Sequence, residues 1–296
     1  MQNAAEERAF DALLGLSVGD ALGAPWEGSV VDADRATTLA PAADVAFWTD
    51  DTQMAIGVLD VLQQAGRIDA ERLARAFAER YQPWRGYGRG MHVLLTALRE
   101  GKRWAEARTV VFPDGSYGNG SAMRIAPLGA YLAGAPREVV IEQAALSADV
   151  THGHPEGHAG AIAVTLAAWH AVRSRDAARP APGEMLREIA DAMDAALDTT
   201  RGIRAALALP METPLVEAVE RLGNGRRVIC QDTVPLALWL AARHLDDYET
   251  AVRHAVAAGG DADTIAAIVG GIVAARVGRS GIPSAWRDAV EPLPVE

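Results

Sequence analysis

The stretch TIAAIVGGIVAAR, with Ile265, Ile268, Val269, Ile272 and Val273 at i, i+3, i+4, i+7 and i+8, constrains the fold more than any other. That spacing lays an apolar stripe along a helix and leaves no alternating face for a strand. The same period recurs near residues 5–23, 51–65, 69–82, 90–100, 120–133, 137–149, 157–174, 184–198, 232–244 and 247–258, and strand signals are scarce. The breaks between are short and carry Gly or Pro, as in QPWRGYGRG, FPDGSYGNGS and ALPMETP. No fixed-period repeat is present, which disfavours a solenoid. The expectation is an all-α, single compact multi-helix domain over residues 1–296. The longest candidate linker, SRDAARPAPGE at 174–184, is too short to divide it. Gly270 and Gly271 cost helix propensity, so they are expected where helices pack closely.

A chain of 296 residues that is 50% hydrophobic has ample material for a buried core. Its net charge of −11 and its pI near 5.1 oppose broad contact with a nucleic-acid backbone, which calls for a basic face. A small anionic ligand would need a local pocket. Cys230 is the sole cysteine, so an internal disulfide framework and a cysteine zinc site are both excluded, and a reducing cytoplasm fits. MQNAAEERAFDALLGL places acidic residues where a signal peptide needs basic ones, and no uncharged apolar run is long enough to span a membrane. A monomeric or weakly associating protein is expected.

The chemistry gathers at five places. In FWTDDTQMAI, Thr49, Asp50 and Asp51 stand at the start of an apolar helix, where one cap residue would suffice. In GGDADT, Asp261, Asp263 and Thr264 stand before another. Facing each other, the two ends would supply four carboxylates and two hydroxyls, the hard oxygen donors that Mg²⁺, Mn²⁺ or Ca²⁺ prefer. Without a cation such a cluster repels itself, and a metal pair ~3.5–4 Å apart fits the D-x-D-T spacing. Two unrelated helix caps are the plain alternative. In DGSYGNGSAMRIAPLG, Gly118 and Gly120 precede a helix starting near Ser121, and the following N–H groups can receive a phosphate; an ordinary turn explains the stretch equally well. A dinucleotide-binding reading fails for want of a preceding strand and a third glycine. THGHPEGHAGA holds His152, His154 and His158, read mainly as satisfied polar residues at a helix start. In GLSVGDALGAPWEG, Glu27 beside Trp26 is a carboxyl open to partial desolvation, and Asp20 is left open as a cap, a supporting partner or a solvated group.

The pieces GDALGAPWE, WTDDTQM, GNGSAMRIAPLG, THGHPEGHAGA and GGDADTIAAIVGG, in this order, resemble the ADP-ribosylglycohydrolase family. The resemblance implies an all-α fold with a binuclear Mg²⁺ or Mn²⁺ cleft, and removal of ADP-ribose from a modified protein or small-molecule acceptor. Thr49, Asp50 and Asp51 match the family's first metal-ligand group, and Asp261, Asp263 and Thr264 the second. Gly118, Asn119, Gly120, Ser121 and Met123 match its ADP-ribose loop, with His152 and Gly153 beside the substrate. Glu27 matches an acidic residue that some members carry on a mobile loop over the metals. Cleavage at the anomeric carbon passes through an oxocarbenium-like state, which needs a held ribose, a positioned water and a stabilised leaving group. Asp261 or Asp263 is the carboxylate expected nearest that water, with Glu27 assisting proton transfer or substrate positioning. An inactive scaffold and a metal-stabilised partner-binding protein stand as the other readings.

Overall fold

The computed structural model describes residues 4–40, 45–175 and 180–295; part of the proline-rich linker segment, residues 176–179, lies outside the described residues. The first half holds α1 (Ala4–Gly23), α2 (Arg35–Thr38), α3 (Asp50–Ala65), α4 (Ala70–Arg80), α5 (Arg89–Arg99), α6 (Trp104–Ala107), α7 (Gly120–Met123), α8 (Ala126–Tyr131) and α9 (Arg137–Asp149). The second holds α10 (Pro155–Arg173), α11 (Pro182–Ala192), α12 (Asp198–Ala208), α13 (Leu215–Leu222), α14 (Cys230–Arg243), α15 (Tyr248–Ala257), α16 (Ala262–Val277) and α17 (Ser284–Asp288). Among the described residues the only β-type pairings are two isolated bridges, Ala46 with Val290 and Gly118 with Ile229.

The apolar stripe of α16 proves to be part of a helix enclosed on every side: each residue from Ala262 to Ala275 is buried. A helix apolar all round belongs at the centre of a core. α1, α8, α10, α14 and α15 surround it. The closest neighbour is α1, and the reason is a row of glycines at four-residue spacing. A Cβ on Gly15 would stand 2.5 Å from the Gly270 carbonyl oxygen, one on Gly19 2.1 Å from that of Ala266, and one on Gly23 2.5 Å from the Asp263 Cα. Only bare backbone fits there, so the two helices touch main chain to main chain, as Gly270 implied.

The expected helix over 120–133 is broken into α7 and α8. Pro127 lies in the first turn of α8, where a missing N–H costs nothing, and α7 ends before it. Five of the described helices escaped the periodicity: the short α2, α6 and α17, and the longer α12 and α13. Of these, α12 contains Gly202, kept small because a Cβ there would meet the Pro235 ring at 2.5 Å.

Candidate metal centre and active-site cleft

Thr49 is the N-cap of α3, and its Oγ1 accepts from the Asp51 N–H at 3.4 Å. Neither Asp50 nor Asp51 is needed as the cap, and of the Asp51 carboxylate only Oδ2 is engaged, accepting from Thr49 Oγ1 at 3.2 Å. The second acidic helix start is more explicit: Asp261 occupies the N-cap of α16 yet makes no side-chain cap bond. Its Oδ2 instead accepts from Asn119 Nδ2 at 2.6 Å.

Between the two ends stands a carboxylate that sequence patterning left undecided. Asp20, on α1, is fully buried. It accepts from Thr49 N at 2.9 Å and Thr49 Oγ1 at 2.8 Å, and from Thr52 N at 3.1 Å and Thr52 Oγ1 at 2.6 Å. One helix thus supplies the anion that satisfies the start of another. Oxygen atoms of Asp20, Asp51 and Asp263 all lie within 4.8 Å of one another. Asp51 Oδ1 is buried with no hydrogen-bond partner. A buried, unpartnered carboxylate oxygen is costly unless a cation or proton meets it.

The electrostatics agree with the geometry. Burial, then the charge of Asp263, pushes the Asp20 carboxyl up to about 7. Burial and Asp261 push Asp263 up to about 8. Asp50 and Asp51 are held well above the usual carboxylate range, first by burial and then by Asp20 and Asp263. Asp261 is raised by burial too, with hydrogen bonds from Asp263, Asn119 and Thr264 working against it. Five acids in mutual repulsion, all with oxygen donors, fit hard divalent cations such as Mg²⁺ or Mn²⁺.

Of the residues that matched the family's site, all but Ser121 and Gly153 line one cleft of about 540 Å³, whereas Asp20, His154 and His158, also singled out from sequence, are not in its lining. Ser121 is fully buried, and its Oγ donates to the Gly157 carbonyl at 2.7 Å. Gly153 sits behind the wall, packed against the Gly115 backbone and the Arg108 guanidinium. Asn119 turns its amide to Asp261 and to Thr233 Oγ1 at 3.0 Å, so it braces the acidic floor from the glycine loop. His154 caps α10 by accepting from the Glu156 N–H at 3.1 Å, and His158 pairs with Asp149 at 3.2 Å, which leaves His152 as the cleft's histidine.

Glu27 differs from the expectation in its cause. It is exposed at the residue level, and its carboxyl is raised first by the charge of Asp263 and only then by burial. Its turn is tied down by Gly28 N to Gly260 O at 2.7 Å and Gly260 N to Ser29 O at 2.9 Å, so it is anchored to the GGDADT segment.

Patterning left Asp20 undecided among three roles, and the structure gives it that of a supporting partner to Thr49 and Thr52; the deciding signal was position, next to Gly19 in the glycine row that faces α16. Patterning also missed one part of the site, the segment from Asn224 to Cys230. Asn224 O accepts from Asp261 N at 3.0 Å, Val228 O accepts from Asn119 N at 3.3 Å, and Cys230 N donates to Tyr117 O at 3.1 Å. The segment clamps the glycine loop to the acidic floor, and Val228, Phe112 and Tyr117 leave an exposed apolar rim around the cleft.

A sequence profile of the ADP-ribosylglycohydrolase family matches residues 1–295, and the chain belongs to that family. An uncharacterised protein of Archaeoglobus fulgidus is 32% identical, over 97% of this chain and 92% of the relative. The human ADP-ribosylhydrolase ARH3 is 27% identical, over 94% of this chain and 88% of its own length. A solved structure described as an ADP-ribosylglycohydrolase-related protein complex superposes with a TM-score of 0.70 at 27% identity, covering 97% of this chain and 93% of that one. Among the described residues no helix is long and apolar enough to cross a membrane.

Proposed function

We propose that this protein, a single domain over residues 1–296, is a metal-dependent hydrolase that removes ADP-ribose from a modified protein side chain or another ADP-ribosylated acceptor. The observation that carries the reading is the buried trio Asp20, Asp51 and Asp263 on the floor of the cleft, with an Asp51 oxygen that nothing in the protein satisfies. Human ARH3, similar along nearly the whole chain, is named for the same activity.

Two divalent cations, Mg²⁺ or Mn²⁺, would be held by Asp50, Asp51, Asp261 and Asp263, with Thr49 and Thr264 offering hydroxyls and Asp20 joining as a ligand or as the anchor of Thr49. Bound there, they would supply Lewis-acid stabilisation of ribose oxygens and lower the pKa of a water. The chain's own residues do the rest. Gly118 and Gly120 line the cleft, and without side chains they would let a diphosphate approach the loop backbone closely. Met123 adds an apolar wall. Asp261 or Asp263 would take a proton from the attacking water, and Glu27, which lines the same cleft and is raised by Asp263, would donate a proton or orient the scissile bond.

The test is release of free ADP-ribose from peptides carrying it on defined arginine or serine acceptors, with product identification. Activity supported by Mg²⁺ or Mn²⁺, removed by EDTA and lost in Asp51→Asn and Asp263→Asn is expected. A parent protein that releases nothing from any acceptor with either ion present would overturn the proposal.

A further inference from the structure

His152 is buried to 4% exposure, its ring at the cleft wall beside the glycine loop. Behind it runs a chain of side chains that decides where its proton sits. Arg124 is wholly buried. Its guanidinium donates to Gly120 O at 3.0 Å, to Ser147 O at 2.9 Å and to Thr151 Oγ1 at 2.9 Å. Thr151 Oγ1 then lies 2.7 Å from His152 Nδ1.

We infer that Arg124 and Thr151 are positioning residues that fix His152 as the neutral tautomer carrying its proton on Nε2, so the cleft wall presents a hydrogen-bond donor to the ligand. A guanidinium can only donate, so Thr151 must accept from it. The hydroxyl has one proton of its own, and among the described residues its remaining neighbour in hydrogen-bond range is His152 Nδ1. Were Nδ1 protonated, Thr151 would accept twice and its O–H would be buried without an acceptor, which is costly in a buried site. Giving that proton to Nδ1 removes the penalty and puts the ring's own proton on Nε2. Burial, with the charges of Arg124 and His158 behind it, holds the imidazolium down to about 3, in keeping with a neutral ring.

The donor faces the glycine loop. A Cβ on Gly118 would come within 3.3 Å of Nε2, and one on Gly120 within 3.1 Å. Nε2 makes no hydrogen bond among the described residues, so it is free to meet an acceptor oxygen, either a phosphate oxygen or a sugar hydroxyl. Two consequences follow. His152 cannot serve as a general base through Nε2, and the glycines are needed to leave its N–H uncovered. The identity of the ligand as ADP-ribose rests on the function proposed above; the tautomer does not.

The experiment is two-dimensional ¹H–¹⁵N correlation of imidazole-labelled full-length protein at pH 7, with His152 assigned by loss of its signals in His152→Asn. A bare Nδ1 and a protonated Nε2 are expected in the parent. Thr151→Val should shift the ring toward the other tautomer and weaken ADP-ribose binding roughly ten-fold, the order expected for one misdirected hydrogen bond. Thr151→Ser should restore both. A protonated Nδ1 in the parent, or an unchanged tautomer in Thr151→Val, overturns the inference. The expected tautomer in a protein that binds no ADP-ribose would uphold it and count against the proposed function instead.

Discussion

Gly19→Ala is the sharpest test of how the acidic floor is assembled. The added Cβ would sit 2.1 Å from the Ala266 carbonyl oxygen and 2.6 Å from its carbon, where ordinary contact begins near 3.4 Å. The obstacle is helix backbone, which has no rotamer to change, so α1 and α16 must part by roughly 1 Å. Overpacking of this kind costs about 3 kcal/mol, at the upper end of its range. The helix propensity gained by replacing glycine returns about 1 kcal/mol. The net loss of about 2 kcal/mol corresponds, in a chain of 296 residues, to a melting temperature lower by roughly 3 °C. The displacement also separates Asp20, one residue along, from Asp263, so the stabilisation by Mg²⁺ should shrink alongside. Thermal unfolding with and without Mg²⁺ reads both effects. Gly134→Ala, at an exposed turn with nothing within 4 Å, is the control and should change stability by no more than ~0.5 kcal/mol. A Gly19→Ala protein melting at or above the parent, with its Mg²⁺ response intact, would refute the claim that bare backbone contact sets the distance between the carboxylates.

The other predictions concern charge, strain and proton transfer. Saturating Mg²⁺ at about a hundred times its Kd should stabilise the parent by about 2.7 kcal/mol, whereas Asp51→Asn should lose that response while leaving the EDTA-treated protein as stable as the parent or more so, because one repelling charge is gone; a full response in Asp51→Asn would remove it from the ligand set. In EDTA, carboxyls raised in the folded state, Asp20 to about 7 and Asp263 to about 8, bind more protons than the unfolded chain, so their contribution is complete below pH ~4 and is lost as pH rises through 7 to 8. Denaturant titrations from pH 5 to 8 should show that loss and Mg²⁺ should flatten it; metal-free stability rising over this window would contradict the assignment. Val228 is the one non-glycine residue with positive φ among the described residues, at 56°, and it is 57% exposed, so Val228→Gly should raise stability by about 1 kcal/mol; a loss would mean its side chain matters more than its backbone. Glu27→Gln should still take up Mg²⁺ and bind ADP-ribose while kcat falls ~10²-fold or more, and parental kcat would pass the acid-base role to Asp261 or Asp263.

Periodicity exposed most of the helices because their burial patterns are set by local spacing, and the two acidic helix starts stood out because they exceed what capping needs. α2, α6 and α17 were hidden by lengths of four or five residues and α13 by its eight, whereas α12 was interrupted by Gly202, whose purpose is contact with Pro235 on α14. Asp20 was illegible for the same reason. Its four hydrogen bonds come from Thr49 and Thr52, and a lone Asp in a helix gives no local sign of partners that distant. Ser121 and Gly153 matched a family motif, yet motif position does not say which way a side chain turns. Ser121 turns inward because its neighbour across the fold, Gly157, offers a carbonyl.

The carboxylates of the floor are far apart in the chain, at 20, 51 and 263, and the last belongs to a helix that is apolar on every side. During synthesis at about 5–20 residues per second, roughly ten to forty seconds separate the appearance of Asp51 from that of Asp263. Over that interval the acidic trio is incomplete, and α10, α14 and α15, which enclose α16, are themselves still being made. A divalent ion therefore cannot steer the early stages of folding. Held as proposed above, it would act as a latch, captured only once α16 is in place, and its capture would mark the moment at which the newborn molecule becomes complete.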